Sequence, residues 1–453
     1  MSMPSTNIHS RGLTLAATSL GFGVVQLDVS VVNVAIRPIG AALGGDVGAL
    51  QWVVNAYTVA FAALILSAGA LGDRIGAKRV FIAGFSVFTA ASAICGLAPS
   101  LGILISARAL QGAGAALLVP CSLTLLNHTF PKAAERSQAI GRWAVGASAA
   151  LSAGPLVGGV LTATLGWRAI FFINAPIGLT GILLTARYAV ETSRSPDRGV
   201  DLWGQLTAVL CLTLLAAATI RGGSAGFGST SVLLGYAAAA TAGVAFLTIE
   251  ARRARPMLPL RLFHCQAFGA NTAIGLLINI AFYGLIFVFS LFFQRAQHFS
   301  ALQAGLAFAP MTAAIMAANA VAGRLAQRFG VRAVTAGGAL LMAGGAVALE
   351  GVGAHSPFVA LVAQLTAIGF GLGLIVPVMT TSLLGSVDRS RSGIASGTLN
   401  TARQTGSVIG VALFGSLIAG GRLVDGLHVA LVIAAVLSLL VAALGARARP
   451  RET

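Results

Sequence analysis

Charge is what this sequence has least of. Asp, Glu, Lys and Arg together make up 9% of 453 residues, and only 12 are acidic. Soluble domains carry roughly 25% charged residues, so an ordinary water-facing surface is excluded. Cysteine is scarce too. Cys95, Cys121, Cys211 and Cys265 stand apart in apolar segments, and their spacing fits neither a disulfide framework nor a zinc site. There is no P-loop, which argues against an ATP-driven pump, and no nucleophile–base constellation, so no enzyme is expected. Gly369-Phe-Gly371-Leu-Gly373 lies mid-span with no strand before it and is not read as a nucleotide loop.

In place of charge stand long apolar runs, with 57% hydrophobic residues. About 20 mostly apolar residues suffice to cross a bilayer as a helix. Fourteen spans are expected at 13–37, 49–71, 79–98, 101–126, 138–165, 169–189, 203–221, 231–250, 268–293, 301–322, 332–350, 357–382, 394–419 and 427–446. The first run is too long for a cleavable signal peptide and lacks a small-residue cleavage site. The fold class is therefore an all-α polytopic membrane protein.

The net charge of +17 is topological rather than a sign of nucleic-acid binding. With the N-terminus inside, Arg37, Arg168, Arg221, Arg295 and Arg422 fall on outer loops, and Arg108 and Arg403 fall inside spans. All the other basic residues fall on inner segments. Basic residues accumulate on the cytoplasmic side, so both termini are placed there, in the cell's inner membrane.

The chain also repeats itself. Gly69-Ala-Leu-Gly-Asp-Arg-Ile-Gly-Ala-Lys78 aligns with Gly323-Arg-Leu-Ala-Gln-Arg-Phe-Gly-Val-Arg332. Each copy follows the second span of a six-span block once spans 7 and 8 are set aside as an insertion. Two parallel six-helix halves form a known transporter plan, with the substrate near the midplane. The expected division is 1–190 for the first bundle, 191–262 for the two inserted helices and 263–453 for the second bundle and tail.

Asp28 is the one acid well inside a span. A mid-bilayer charge costs roughly 2.5–3.5 kcal/mol even on the milder scale and is normally paired or functional. Span 1 runs outward and span 4 inward. At 1.5 Å per residue, Asp28 and Arg108 both lie about 10–14 Å below the outer surface. They are level, so Arg108 is the expected partner. Gln111, three residues on, shares its helix face and could steer the guanidinium or touch substrate. Burial favours the neutral acid and a neighbouring guanidinium favours the carboxylate. A site whose hydration alternates would bind and release a proton in turn. A fixed structural ion pair is the alternative.

Several motifs resemble those of a known family. Gly69-Ala-Leu-Gly-Asp73-Arg74-Ile-Gly76-Ala-Lys78-Arg79 resembles the signature loop of the major facilitator superfamily. Leu27-Asp28-Val-Ser-Val-Val-Asn33-Val-Ala35, Arg108-Ala-Leu-Gln111-Gly112-Ala-Gly114 and Gly154-Pro155-Leu-Val-Gly158-Gly159 resemble motifs of its fourteen-helix drug:proton antiporter branch. Trp167 to Pro176 and Asn400-Thr-Ala-Arg403-Gln404 are similar to further stretches of that branch, and the set spans the chain. Ala77 and Ala150 depart from the usual base and glycine, which weakens the loop's positive cluster and leaves a small residue for packing.

The resemblance implies a conformational lock at Gly69, Asp73, Arg74, Gly76 and Lys78, with Asp73 engaging the start of span 13 near Ser392 and Gly393. Arg74, Lys78 and Glu135 are candidates for further pairs between loops. It also implies that Gly154, Pro155, Gly158 and Gly159 seal the centre against proton leak. Drug-sized sites are mostly apolar with a few polar groups. Asn33, Tyr57 and Phe282 head the substrate candidates, with Gln111, Asn400 and Arg403; Arg403 either faces the cavity or snorkels toward the cytoplasm.

The function implied is proton-coupled export of hydrophobic or amphipathic drugs by alternating access, powered by the proton gradient without a cofactor. The expected partners are a drug-like small molecule, protons and the lipid bilayer, with no nucleic acid and with a monomer as the working unit. A carrier of one specific metabolite, or a receptor or channel, remains the alternative. A single mid-span acid favours monocations or neutral molecules over dications.

Overall fold

The computed structural model describes residues 8–194, 201–253, 256–387, 392–421 and 423–447. Those residues form helices and connecting turns, with no strand among them. In order they are α1 (Ile8–Leu43), α2 (Val47–Ile75), α3 (Ala77–Leu97), α4 (Leu101–Thr129), α5 (Ala133–Leu165), α6 (Ala169–Phe172) and α7 (Asn174–Tyr188). Then come α8 (Leu202–Ala225), α9 (Thr230–Arg252), α10 (Gln266–Leu291), α11 (Ala301–Ala307) and α12 (Ala309–Phe329). The last four are α13 (Val331–Ala348), α14 (Val359–Gly385), α15 (Ser392–Leu417) and α16 (Leu423–Arg447). Each of the fourteen expected spans has its helix. Span 6 is split at Ile173 into α6 and α7, and span 10 at Phe308 into α11 and α12.

Among the described residues, thirteen helical stretches are long and apolar enough to cross a membrane. The fourteenth, α15, has the length at 26 residues but carries Ser, Thr, Asn, Arg and Gln along it. It can do so because it packs on α10, α2 and α8 instead of standing in lipid. Thr398 and Asn400 donate to the carbonyls of Ile394 (2.9 Å) and Ser396 (3.0 Å), one turn back. Polar groups served by their own helix and by protein neighbours need no water. The opposite surface belongs to the bilayer. Leu183, Leu202, Trp203, Leu234, Val244 and Val359 are exposed, an apolar belt that would drive association in water.

Helix pairing recurs along the chain. α1 lies against α5 as α10 lies against α15; α2 pairs with α4 as α12 pairs with α14; α3 meets α4 as α13 meets α14. The repeated loop recurs in backbone detail. Gly76 (φ 105°) ends α2 and begins α3, and Gly330 (φ 85°) ends α12 and begins α13. Each donates its N–H to the carbonyl four residues back, Gly72 or Ala326. This backbone region is essentially closed to other residues.

Between the two series, α8 packs on α2, α15 and α9. Leu212 and Ala216 share a cluster with Val59, Ala62, Ala63 and Val408. At the base of this hairpin lie two buried acids that apolar-run counting passed over. Asp201 accepts from the Gly204 N–H (2.9 Å) and pairs with Arg253 (3.0 Å), while Glu250 accepts from the Leu258 N–H (2.8 Å).

Side-chain hydrogen bonds also run directly from α1 and α2 to the helices after the hairpin. Gln51 donates to the carbonyls of Val411 (2.8 Å) and Ala412 (2.7 Å), Gln294 to that of Val34 (3.0 Å), and Ser290 to that of Asn33. All lie toward the end where α1 finishes and α2 begins.

The two loop glycines differ in surroundings. A Cβ at Gly76 would stand 2.5 Å from the Glu191 carboxylate, whereas one at Gly330 meets nothing within 4 Å. Gly330→Ala is expected to cost about 1–3 kcal/mol for the backbone alone. Gly76→Ala adds a steric clash and should lower the unfolding temperature in detergent measurably further. Equal shifts for the two variants would contradict this account.

Candidate functional site

The densest polar network in the described chain surrounds Asp28. Its carboxylate is 0% exposed and Arg108 is 1% exposed. Arg108 Nη1 donates to Asp28 Oδ2 and to Gln111 Oε1 (2.7 Å). Gln111 Nε2 (2.8 Å) and Asn174 Nδ2 (3.1 Å) both donate to Asp28 Oδ1. The same two amides reach the Ser92 hydroxyl at 3.1 and 2.9 Å, and Ser92 donates to the Phe171 carbonyl at 3.0 Å. Arg108 Nε donates to the Val53 carbonyl (3.1 Å), and its guanidinium lies 4.3 Å from the centre of the Tyr57 ring. Equal depth and a shared helix face bring these groups together, and in a low-dielectric interior such charge-assisted bonds are strong.

Two substrate candidates therefore sit elsewhere than in a cavity. Gln111 and Tyr57 are fully buried in the ion-pair network, one bridging its partners and one stacked on Arg108. Asn174 and Ser92 are the members that sequence reasoning did not single out as site residues. The signal for Asn174 is its place in the Trp167–Pro176 stretch that is similar to the family branch.

Asn33 and Phe282 line a small cavity together with Ser30, Ser152, Tyr283 and Thr312. Its volume is about 20 Å³, room for about one water and far short of a drug-sized ligand. A substrate requires these helices to part. Near the cavity, Asn33 Oδ1 and Ser152 Oγ are buried without a protein partner, as are both side-chain polar atoms of Asn55 on α2. Asn400 is half-buried and bonds its own helix. Arg403 is half-buried, with its stem beside Gly275 of α10.

At the end where α1 begins, Glu135 pairs with Arg11 (3.3 Å) and Lys132 (3.4 Å) rather than with Arg74 or Lys78. The acid that organises the loop is Glu191. It accepts from the Lys78 N–H (2.9 Å) and pairs with Arg79 (3.7 Å), while Thr192 accepts from the Ala77 N–H (2.9 Å). An acid there answers the positive end of α3. Lys78 Nζ donates to the Ala186 carbonyl (2.8 Å) and Arg74 is exposed. Gly69 faces Pro120 of α4. Asp73 is half-buried; the Ser392 side chain expected opposite it lies outside the described residues.

The glycine–proline motif on α5 faces two ways. A Cβ at Gly154 would collide with the Ser30 side chain, and one at Gly158 would come within 2.7 Å of the Val31 carbonyl on α1. A Cβ at Gly159 would meet the Ala301 carbonyl at 2.9 Å, and one at Gly305 the Pro155 carbonyl at 2.4 Å. One helix thus touches α1 on one side and α11 on the other at backbone distance, as small residues permit.

The sequence profile of the Major Facilitator Superfamily matches residues 18–316 and 272–453. The methylenomycin A resistance protein of Streptomyces coelicolor is 36% identical over 404 residues, covering 89% of this chain and 85% of that protein. The multidrug resistance protein Stp of Mycobacterium tuberculosis is 35% identical over 408 residues, covering 90% and 76%. Among solved structures, a bacterial homolog of the human lysosomal transporter Spinster superposes with a TM-score of 0.68 at 18% identity, over 98% of this chain and 97% of that one. At that identity the likeness speaks for the fold alone.

Arg108 does more than carry charge, so Arg108→Lys should not substitute for it. The variant keeps a cation but loses the fork that serves Asp28, Gln111 and Val53 together, along with the stacking on Tyr57. We expect a loss of about 2–4 kcal/mol, near the cost of breaking a buried pair, read as reduced thermal stability of the purified protein. A Lys variant as stable as the parent would show that the pair's geometry contributes nothing.

Proposed function

Because the chain belongs to the Major Facilitator Superfamily, and is thus a transporter and not an enzyme, we propose that it exports drug-like compounds in exchange for protons. Its relatives of 35–36% identity are named for antibiotic and multidrug resistance, which supports drugs as cargo. The observation that carries the proton step is the buried carboxylate of Asp28, held by Arg108, Gln111 and Asn174. Both of its oxygens accept hydrogen bonds from these donors. Protonating it would remove its attraction for Arg108 and leave a guanidinium short of its partner in a dry interior. Proton binding and helix rearrangement are therefore linked: a change that lets water reach Asp28 lets a proton on, and reclosure expels it.

The cycle then runs by alternating access. Substrate enters from the cytoplasm or inner leaflet and occupies the region of Asn33 and Phe282 once α1, α5, α10 and α12 separate. The bundles 1–190 and 263–453 rock about it, the seam at Gly159 and Gly305 opens, and the substrate leaves outward. Protonation of Asp28 supports the return.

A second reading has a specific observation in its favour. Asp28 is fully buried and multiply bonded, as a purely structural ion pair would be. Asp28→Asn separates the two. If Asp28 carries the proton, the variant in proteoliposomes should still pass substrate downhill. Substrate-dependent collapse of an imposed pH gradient should fall by about tenfold or more, the scale on which a single proton-transfer group acts. Undiminished gradient-driven efflux by Asp28→Asn would leave the structural reading standing.

A further inference from the structure

Two arginines lie deep in the membrane-spanning part, and their surroundings are opposite. Arg108 meets a carboxylate, an amide oxygen, a backbone carbonyl and an aromatic face. Arg403 meets none of these: its Nε is buried without a hydrogen-bond partner, and no acid among the described residues pairs with it. It is the twelfth of 26 residues in α15, near mid-membrane. Its stem passes α10 where Gly275 lacks a side chain; a Cβ there would sit 3.4 Å from the arginine Cγ. Tyr283, a wall of the cavity shared with Asn33 and Phe282, lies two turns further along α10. The Arg403 stem thus packs against α10 within the bundle.

More unsatisfied polar atoms gather along this seam. Thr401 Oγ1, Gln404 Oε1 and Ser407 Oγ on α15 are buried without protein partners. The antiparallel pairing of α2 with α15, fixed by Gln51 at Val411 and by Leu66 at Gly397, sets Asn55 about level with Ser407. An unpaired charge at this depth is costly, and in a membrane protein it marks a site whose partner arrives from elsewhere. Asp28 cancels Arg108, so the interior is left with one net positive charge.

We propose that Arg403 is the recognition point for an anionic group on the transported compound, a carboxylate or sulfonate. The proposal rests on the export reading and specifies its cargo. It reverses the expectation drawn from counting acids, because the one acid counted is already consumed by Arg108. A planar guanidinium suits a two-oxygen anion, which can accept two parallel hydrogen bonds. Gln404, Ser407 and Asn55 would serve neutral polar groups beside it.

The test compares two dyes of one ring framework and opposite charge, fluorescein and rhodamine 6G. Binding to the purified protein is followed by fluorescence polarisation for the parent, Arg403→Gln and Arg403→Lys. The ratio of fluorescein to rhodamine affinity should fall by about tenfold or more in Arg403→Gln, the scale of one charge-assisted contact. Arg403→Lys, which keeps the charge without the fork, should lie between the two. A parent protein that binds no fluorescein, or variants that weaken both dyes equally, would overturn the proposal. Efflux of both dyes from energised vesicles is measured separately. Selective binding without transport of either dye would sink the export reading while leaving the anion site intact.

Discussion

The Asp28–Arg108 pair is the constraint around which the first part of the molecule is arranged. Six helical elements meet there: α1 brings the acid, α4 the base and Gln111, α2 the Val53 carbonyl and the Tyr57 ring, α3 Ser92, α6 the Phe171 carbonyl, and α7 Asn174. Removing one partner of a buried pair costs about 3–5 kcal/mol, because the other is left uncompensated. Those elements are therefore fixed against one another. α5 adds no side chain to the network and is held by glycine contacts instead. Its seam with α11 depends on backbone approach, and the seam of α2 with α15 on hydrogen bonds from Gln51 and a small apolar cluster at Val408. Structures give way where the interactions are weakest, so these seams are the natural places for motion.

Much of this was legible in the sequence, for physical reasons that also mark where legibility ended. Depth follows from counting at a fixed rise per residue, so Asp28 and Arg108 could be matched across two helices. Spacing of three on one helix put Gln111 beside Arg108. Gly76 and Gly330 were visible as a repeat, and both have the positive φ that only glycine readily takes. Rotation about the helix axis is another matter. Hydropathy does not set it when every face is apolar, so the stacking of Tyr57, a substrate candidate, on Arg108 could not be anticipated. Ser92 gave no signal at all, being one hydroxyl among many.

Other features were hidden because they depend on contacts between distant segments. Glu191 follows α7 at the membrane boundary, where acids are ordinary, and its role at the start of α3 emerges only when the two ends meet. Asp201 and Glu250 are far apart in sequence but close at the base of the hairpin, where Gly204 lies beside both. α15 shows the converse. Its polarity keeps it from qualifying as a span on apolarity alone, and burial among α10, α2 and α8 explains why it need not.

The two bundles share helix pairing and the glycine loop, but not chemistry. The first holds a compensated ion pair and the second an Arg403 with no acid partner among the described residues, and Gln327 stands where the first loop has Asp73. The charges of Asp28 and Arg108 offset each other at contact, whereas no acid among the described residues does so for Arg403. In one fixed conformation, electrostatics would favour a proton and an anion together. If a proton is exchanged for an anion, as proposed, water must reach Asp28 only in a conformation in which Arg403 has released its cargo. The return for that separation is large. One proton moving in while a monoanion moves out carries two positive charges inward, worth roughly 4–5 kcal/mol per 100 mV of membrane potential. Exchange of a proton for a monocation moves no net charge and draws on the pH difference alone. On the proposed exchange, an unpaired arginine in the interior would couple the choice of cargo to the full electrochemical gradient.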